Sequence, residues 1–120
     1  MRGQVECIVN NGQLQSDSIL FSYNKENRLT GYKIFNDGKA NGYCVYKYRG
    51  ENRIEQYHYD NNGKEERHCI IEFDDRENIT MFREYGYIHP DTTIMTLLYL
   101  KCNTYDTENR IECAFEYFCD

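Results

Sequence analysis

The stretch Tyr105-Asp106-Thr107-Glu108-Asn109-Arg110-Ile111 decides how the whole chain is read, because three other segments superpose on it. They are Tyr23-Asn-Lys-Glu-Asn-Arg-Leu29, Tyr48-Arg-Gly-Glu-Asn-Arg-Ile54 and Phe73-Asp-Asp-Arg-Glu-Asn-Ile79. The leading aromatics Tyr23, Tyr48, Phe73 and Tyr105 recur at intervals of 25, 25 and 32 residues, and the aliphatics Leu29, Ile54, Ile79 and Ile111 follow each at six. The longer last interval is assigned to an insertion around His89-Pro90-Asp91, which holds the single proline. Internal repetition at this period identifies one supersecondary unit used several times.

Each unit reads as a β-hairpin. A loop built on a type I turn needs a residue at positive φ to rejoin the second strand, and Gly or Asn tolerates that conformation best. Asn27, Asn52 and Asn109 stand at that place. The third unit has Glu77 there and Asn78 one position later, which predicts a turn longer by one residue. Flanking segments such as Tyr43-Cys-Val-Tyr-Lys-Tyr48 and Arg53-Ile-Glu-Gln-Tyr-His-Tyr59 are rich in β-branched and aromatic residues and read as strands. Further hairpin signals stand at Asn10-Asn-Gly12, Asn36-Asp-Gly38 and Asn61-Asn-Gly63. With no stretch patterned as a long amphipathic helix and no low-complexity linker, the expectation is one all-β domain over 1–120. Its architecture is an antiparallel up-and-down meander of about ten strands. Edge exposure favours one strongly curved sheet or barrel over a two-sheet sandwich. The equivalent aromatics should share one side of that sheet, with the four aliphatics beside them.

A chain of 120 residues carrying 14 basic and 20 acidic side chains, net −6, repels phosphate backbones, so a basic partner fits better than nucleic acid or an anionic membrane. The longest apolar run, residues 94–100, is far short of the roughly 20 residues a spanning helix needs, so membrane insertion is not expected. No apolar leader follows Met1-Arg2, which implies a cytoplasmic location for a complete chain and the cell surface or periplasm for one that lost a leader. The six cysteines, Cys7, Cys44, Cys69, Cys102, Cys113 and Cys119, form no Cys-x-x-Cys pair and are expected as reduced thiols. A four-residue loop over Asp106–Asn109 would set Cys102 opposite Cys113 and permit a bridge; a three-residue loop would set Ala114 there instead.

The string Tyr-Asp-x-x-Asn-Arg-Ile at 105–111, with its variant at 23–29, resembles the YD repeat of the Rhs family, in which Tyr-Asp is followed by two variable residues, Gly, Arg and an aliphatic. Here Asn27, Asn52 and Asn109 replace the Gly. The resemblance covers about residues 19–118 and implies short β-hairpin repeats like those of small bacterial surface proteins of unassigned activity. It implies no catalytic residues, and four units cannot form the toxin-enclosing shell of the large family members.

Candidate chemistry is sparse. His58, His68 and His89 are the only histidines, and none stands in a metal-ligand spacing. His89 and Asp91 share the inserted loop, where a functional segment could sit. The acidic pairs Glu65-Glu66 and Asp74-Asp75 are adjacent, so in a strand their carboxyls point to opposite faces and cannot act as a facing acid-base pair. No nucleophile elbow or phosphate-cradling glycine loop is present, so no enzyme activity, cofactor or metal is expected. The surplus lies in 12 Tyr and 6 Phe, rigid amphipathic rings suited to contact with protein or glycan. Tyr46, Tyr59, Tyr85 and Tyr117, each among charged or polar neighbours, are the candidate ligand-binding residues. A non-enzymatic binding module is therefore the leading expectation, and an acidic immunity-type protein that covers a basic toxin is the alternative.

Overall fold

The computed structural model describes the backbone of residues 2–10 and 13–119 and the side chains of residues 17–119. The expected turn at Asn11-Gly12 and the thiol of Cys7 lie outside the described residues. Nine strands follow in chain order: β1 (Arg2–Asn10), β2 (Gln13–Tyr23), β3 (Leu29–Asn36), β4 (Lys39–Tyr48), β5 (Arg53–Tyr59), β6 (Glu65–Phe73), β7 (Ile79–Gly86), β8 (Thr96–Tyr105) and β9 (Ile111–Phe118). Among the described residues there is no helix. Hydrogen bonding follows the same order, β1 through β9, all antiparallel where register is defined. That order has two ends, not the closed ring a barrel requires. Among the described residues the count is nine against the expected ten, and the inserted segment, residues 87–95, carries no strand, as expected of a loop.

Two compact units divide the chain: Met1–Tyr46 with His58–Glu65, and Lys47–Tyr57 with Glu66–Asp120. In the first, Asp37 (φ 50°) and Gly38 (φ 78°) close β3 onto β4 as a two-residue turn with Asn36 opposite Lys39. Two consecutive positive φ angles are the mark of the type I′ turn, whose twist matches the strands it joins. In the second, residues Ile71, Phe73, Phe82 and Ile79 are paired across β6 and β7 on one face, and His68, Ile70, Tyr85 and Arg83 on the other.

The repeated turn has a sharper chemistry than its asparagine. At 24–28 the amide oxygen of Asn24 accepts from the N–H groups of Glu26 and Arg28, both at 3.0 Å, while Asn27 N–H donates to Asn24 O and sits at φ 60°. The carboxylates of Asp74 and Asp106 do the same at 74–78 and 106–110, and Asp60 does it at 60–64. In each the fourth residue takes positive φ: Asn27, Gly63, Glu77 and Asn109. The third unit's turn is thus no longer than the others, and Glu77 itself adopts φ 65°. Four backbone bonds to one Asx residue hold a conformation that glutamate alone disfavours.

Two expectations are corrected here. Asn52 does not take positive φ; Gly50 does, at 70°. Cys102 lies opposite Phe115 and Cys113 opposite Thr104, because a bulge between Thr104 and Tyr105 shifts the register, and both thiols are free. The same bulge recurs beside the Asx turn at Ser22/Tyr23 and Glu72/Phe73, so it sets Tyr23 against Leu29, Phe73 against Ile79 and Tyr105 against Ile111.

Burial is thin for a chain of this size. Among the described residues the buried apolar side chains are Cys44, Cys69 and Ile70, and the buried polar ones are Glu55 and Asn103. Ile111, Phe115 and Phe118 are more than half exposed. Most stabilisation within each unit therefore comes from cross-strand pairs, each on the order of 0.2–1 kcal/mol, rather than from a deep core.

Candidate functional site

Strand alternation brings aromatic rings of neighbouring strands into register, and each unit carries such a row. In the first unit Tyr43 of β4 stacks on Tyr59 of β5 with ring centroids 4.8 Å apart and planes at 19°. β4 can approach so closely because position 42 is glycine: at φ 118°, a Cβ there would lie 2.7 Å from Tyr59 O. Beside the stack is an open depression of about 460 Å³ lined by Lys33, Phe35, Ala40, Gly42, Tyr43 and Asn61. The pairs Lys33–Tyr43 and Phe35–Ala40 across β3 and β4 put the cation and the ring on the floor beside Tyr43. Burial, and then the Glu65 carboxylate, hold the Tyr59 phenol above its ordinary pKa, so it remains a hydrogen-bond donor.

The second unit carries a longer row. Tyr57 stacks on His68 at 4.3 Å and 20°, and His68 meets Tyr85, its directly opposed residue on β7, at 5.7 Å. The Lys47 ammonium lies 5.0 Å from the Tyr57 ring centroid, so this ring has a cation on one flank and an imidazole on another. Beneath it is Glu55, which accepts from Arg49 Nε at 3.0 Å, Arg53 Nη2 at 3.1 Å and the Tyr57 hydroxyl at 2.9 Å. Burial works to raise this carboxyl, but the hydrogen bonds from Arg49 and Tyr57 and the Arg53 charge outweigh it and leave the pKa below the ordinary 4.5. Burial and the bond to Glu55 hold the Tyr57 phenol high. Glu72 continues the polar floor, 3.8 Å from Arg53 and 3.7 Å from Arg83. His68 Nε2 is buried without a hydrogen-bond partner.

The four tyrosines expected to bind ligand do not form one surface. Tyr46 meets Tyr32 at 6.2 Å on the face of the first unit opposite the Tyr43–Tyr59 stack, as the pairing of Tyr32 with Cys44 requires. In the second unit Tyr85 and Tyr117 do share a face, through the pairs Arg83–Leu100 and Leu100–Tyr117, but β8 separates them. Tyr117 is exposed, whereas Tyr46, Tyr59 and Tyr85 are half-buried. Tyr43, Tyr57, His68 and Glu55 were missed. The period-2 spacing from Tyr59, already a candidate, could have flagged Tyr57 as well, but no sequence signal marks Glu55 as buried.

In the inserted loop Asp91 accepts from Thr93 N–H at 2.9 Å and Thr93 Oγ1 at 2.6 Å, bonds that hold its carboxyl below the ordinary range and occupy one of its oxygens in turn formation. Among the described residues no group of three His, Cys, Asp or Glu side chains is placed to hold a metal ion. What the rows can do is present flat, pre-positioned rings rimmed by hydroxyls and fixed charges. No protein-family model matches the chain, and comparison with curated proteins likewise finds no match.

Proposed function

We propose that this protein is a binding module without catalytic activity of its own, and that its aromatic sheet rows take a protein or glycan partner. The observation that carries the reading is the Tyr57–His68–Tyr85 row, whose rings are held by stacking and by the Glu55 network before any partner arrives. Rings already immobilised lose little entropy on binding, and their faces suit sugar rings and protein side chains alike. In this reading the hairpins are YD-like repeats that carry the rows. The net charge of −6 favours a second reading, an immunity-type protein covering a basic toxin.

Wild-type protein applied to an oligosaccharide array and to immobilised basic proteins separates the two. A glycan should bind with micromolar Kd that salt leaves unchanged; a basic protein should bind in the nanomolar range and weaken as salt rises. Tyr43→Ala or Tyr85→Ala should weaken whichever complex forms by about 1 kcal/mol. Binding unaltered by both, or turnover that depends on His89 or Asp91, would remove the proposal.

A further inference from the structure

β9 ends the strand order and has β8 as its hydrogen-bonded neighbour, so its other edge presents unpaired N–H and C=O groups. Natural sheets blunt such edges with charged side chains, proline or inward charges; the strand Ile-Glu-Cys-Ala-Phe-Glu-Tyr-Phe has neither lysine nor proline, and its two charges are Glu112 and Glu116, the latter already 3.6 Å from Lys101 of β8. All of it is exposed, with Phe115 at 57% and Phe118 at 63%.

Hydrogen-bond parity restricts what can add to this edge. Cys119 N–H donates to Leu98 O at 2.9 Å, so by alternation the backbone groups of Cys113, Phe115 and Tyr117 face β8 while those of Ala114, Glu116 and Phe118 face outward. A second β9 arriving antiparallel must match outward groups with outward groups, which puts the twofold axis through a residue and not between two. Two placements engage nearly the whole strand. With the axis at Ala114, Glu112 of each copy faces Glu116 of the other, two like-charge pairs. With the axis at Phe115, Glu116 faces Ala114, Glu112 faces Phe118, Cys113 faces Tyr117, and the two Phe115 rings meet. No carboxylate then opposes another.

We infer that β9 pairs edge to edge with β9 of a second copy of this chain, in the register centred on Phe115. The contact is isologous, so it closes at two copies, whereas β9 against β1 of another copy would propagate. The inference stands apart from the binding role of the aromatic rows, whose central residues lie on other strands.

Sedimentation equilibrium across a concentration series at near-physiological salt tests it. Wild type should dimerise, and Phe115→Lys should be monomeric with the far-UV circular dichroism of the wild type, its melting temperature losing the concentration dependence that a dimer imposes. Ala114→Lys, which sets a cation against Glu116 twice, should tighten the dimer about fivefold, and Ala114→Glu should weaken it by a similar factor. Glu26→Lys, in the exposed turn at 24–28, changes the net charge by +2, more than either Ala114 variant does, and should still leave the constant within about twofold. A wild-type monomer at every concentration, assemblies larger than a dimer, or Ala114 variants that follow the Glu26→Lys control would each overturn the register and the dimer.

Discussion

Turns 105–111 and 48–54 share Tyr, Glu, Asn, Arg and Ile in the same places and differ at two positions, Asp106-Thr107 against Arg49-Gly50. They close differently. With Asp106 at the head, the carboxylate gathers two backbone N–H groups and Asn109 takes φ 63°. Arginine at the head has no acceptor to offer, so Gly50 supplies the positive φ and Glu55 ties down Arg49 and Arg53 from the strand. Asn52 is released from the turn's strained position, and its carbonyl accepts from Phe73 N–H at 2.8 Å. The head residue, not the asparagine, selects the turn.

Breaking the substitute device should have the largest effect. Glu55→Ala leaves two arginines without their acceptor; a fully buried pair would cost more, but side-chain exposures of 55% and 39% at Arg49 and Arg53 reduce the expected loss to about 2 kcal/mol. Urea unfolding measures it, and a loss under about 0.5 kcal/mol would mean that solvent replaces the network. Next comes the asparagine contrast. Asn109→Val should cost about 1–2 kcal/mol because a β-branched residue resists φ near 60°, whereas Asn52→Val should stay within about 0.5 kcal/mol. Equal costs would erase the distinction between the two turns. Gly50→Ala should cost about 1 kcal/mol, from backbone strain alone, since a Cβ there meets nothing within 4 Å.

The smallest effect is acid sensitivity. The Arg110 and Asn78 backbone N–H groups hold Asp106 and Asp74 below the ordinary 3.8, and the arginine and tyrosine bonds hold Glu55 below 4.5. A depressed pKa favours the charged form in the fold, so this stability is present above those ordinary values and is lost as pH falls through the folded ones. The melting temperature should be flat from pH 7 to about 5 and decline below about 4.5. Glu55→Gln should remove the upper part of that decline, and an unchanged profile would assign the acid loss elsewhere.

Strand β5 was legible to the residue, because Arg53–Tyr59 gathers β-branched and aromatic residues between two turn signals. Positive φ at Asn27 and Asn109 was legible for the same reason that Gly would be. The Asx heads were not, since their bonds run from side chain to backbone and any Asp in a loop has that capacity. Tyr59-Asp60-Asn-Asn-Gly63 therefore passed as an ordinary Asn-Gly turn although it closes like the others. The bulge beside each head shifts pairing by one residue, which is why the Cys102 partner was misplaced. At the site, period-2 alternation assigns faces within a strand but not which rings meet across strands; that needs the register.

The binding claim is tested most directly by residue-resolved NMR titration of the protein with whichever array ligand binds most tightly. The account predicts shifts concentrated on Tyr43 and Tyr59, or on Tyr57, His68 and Tyr85, with the inserted loop unmoved. Shifts confined to residues 87–95, with the aromatic rows silent, would contradict it.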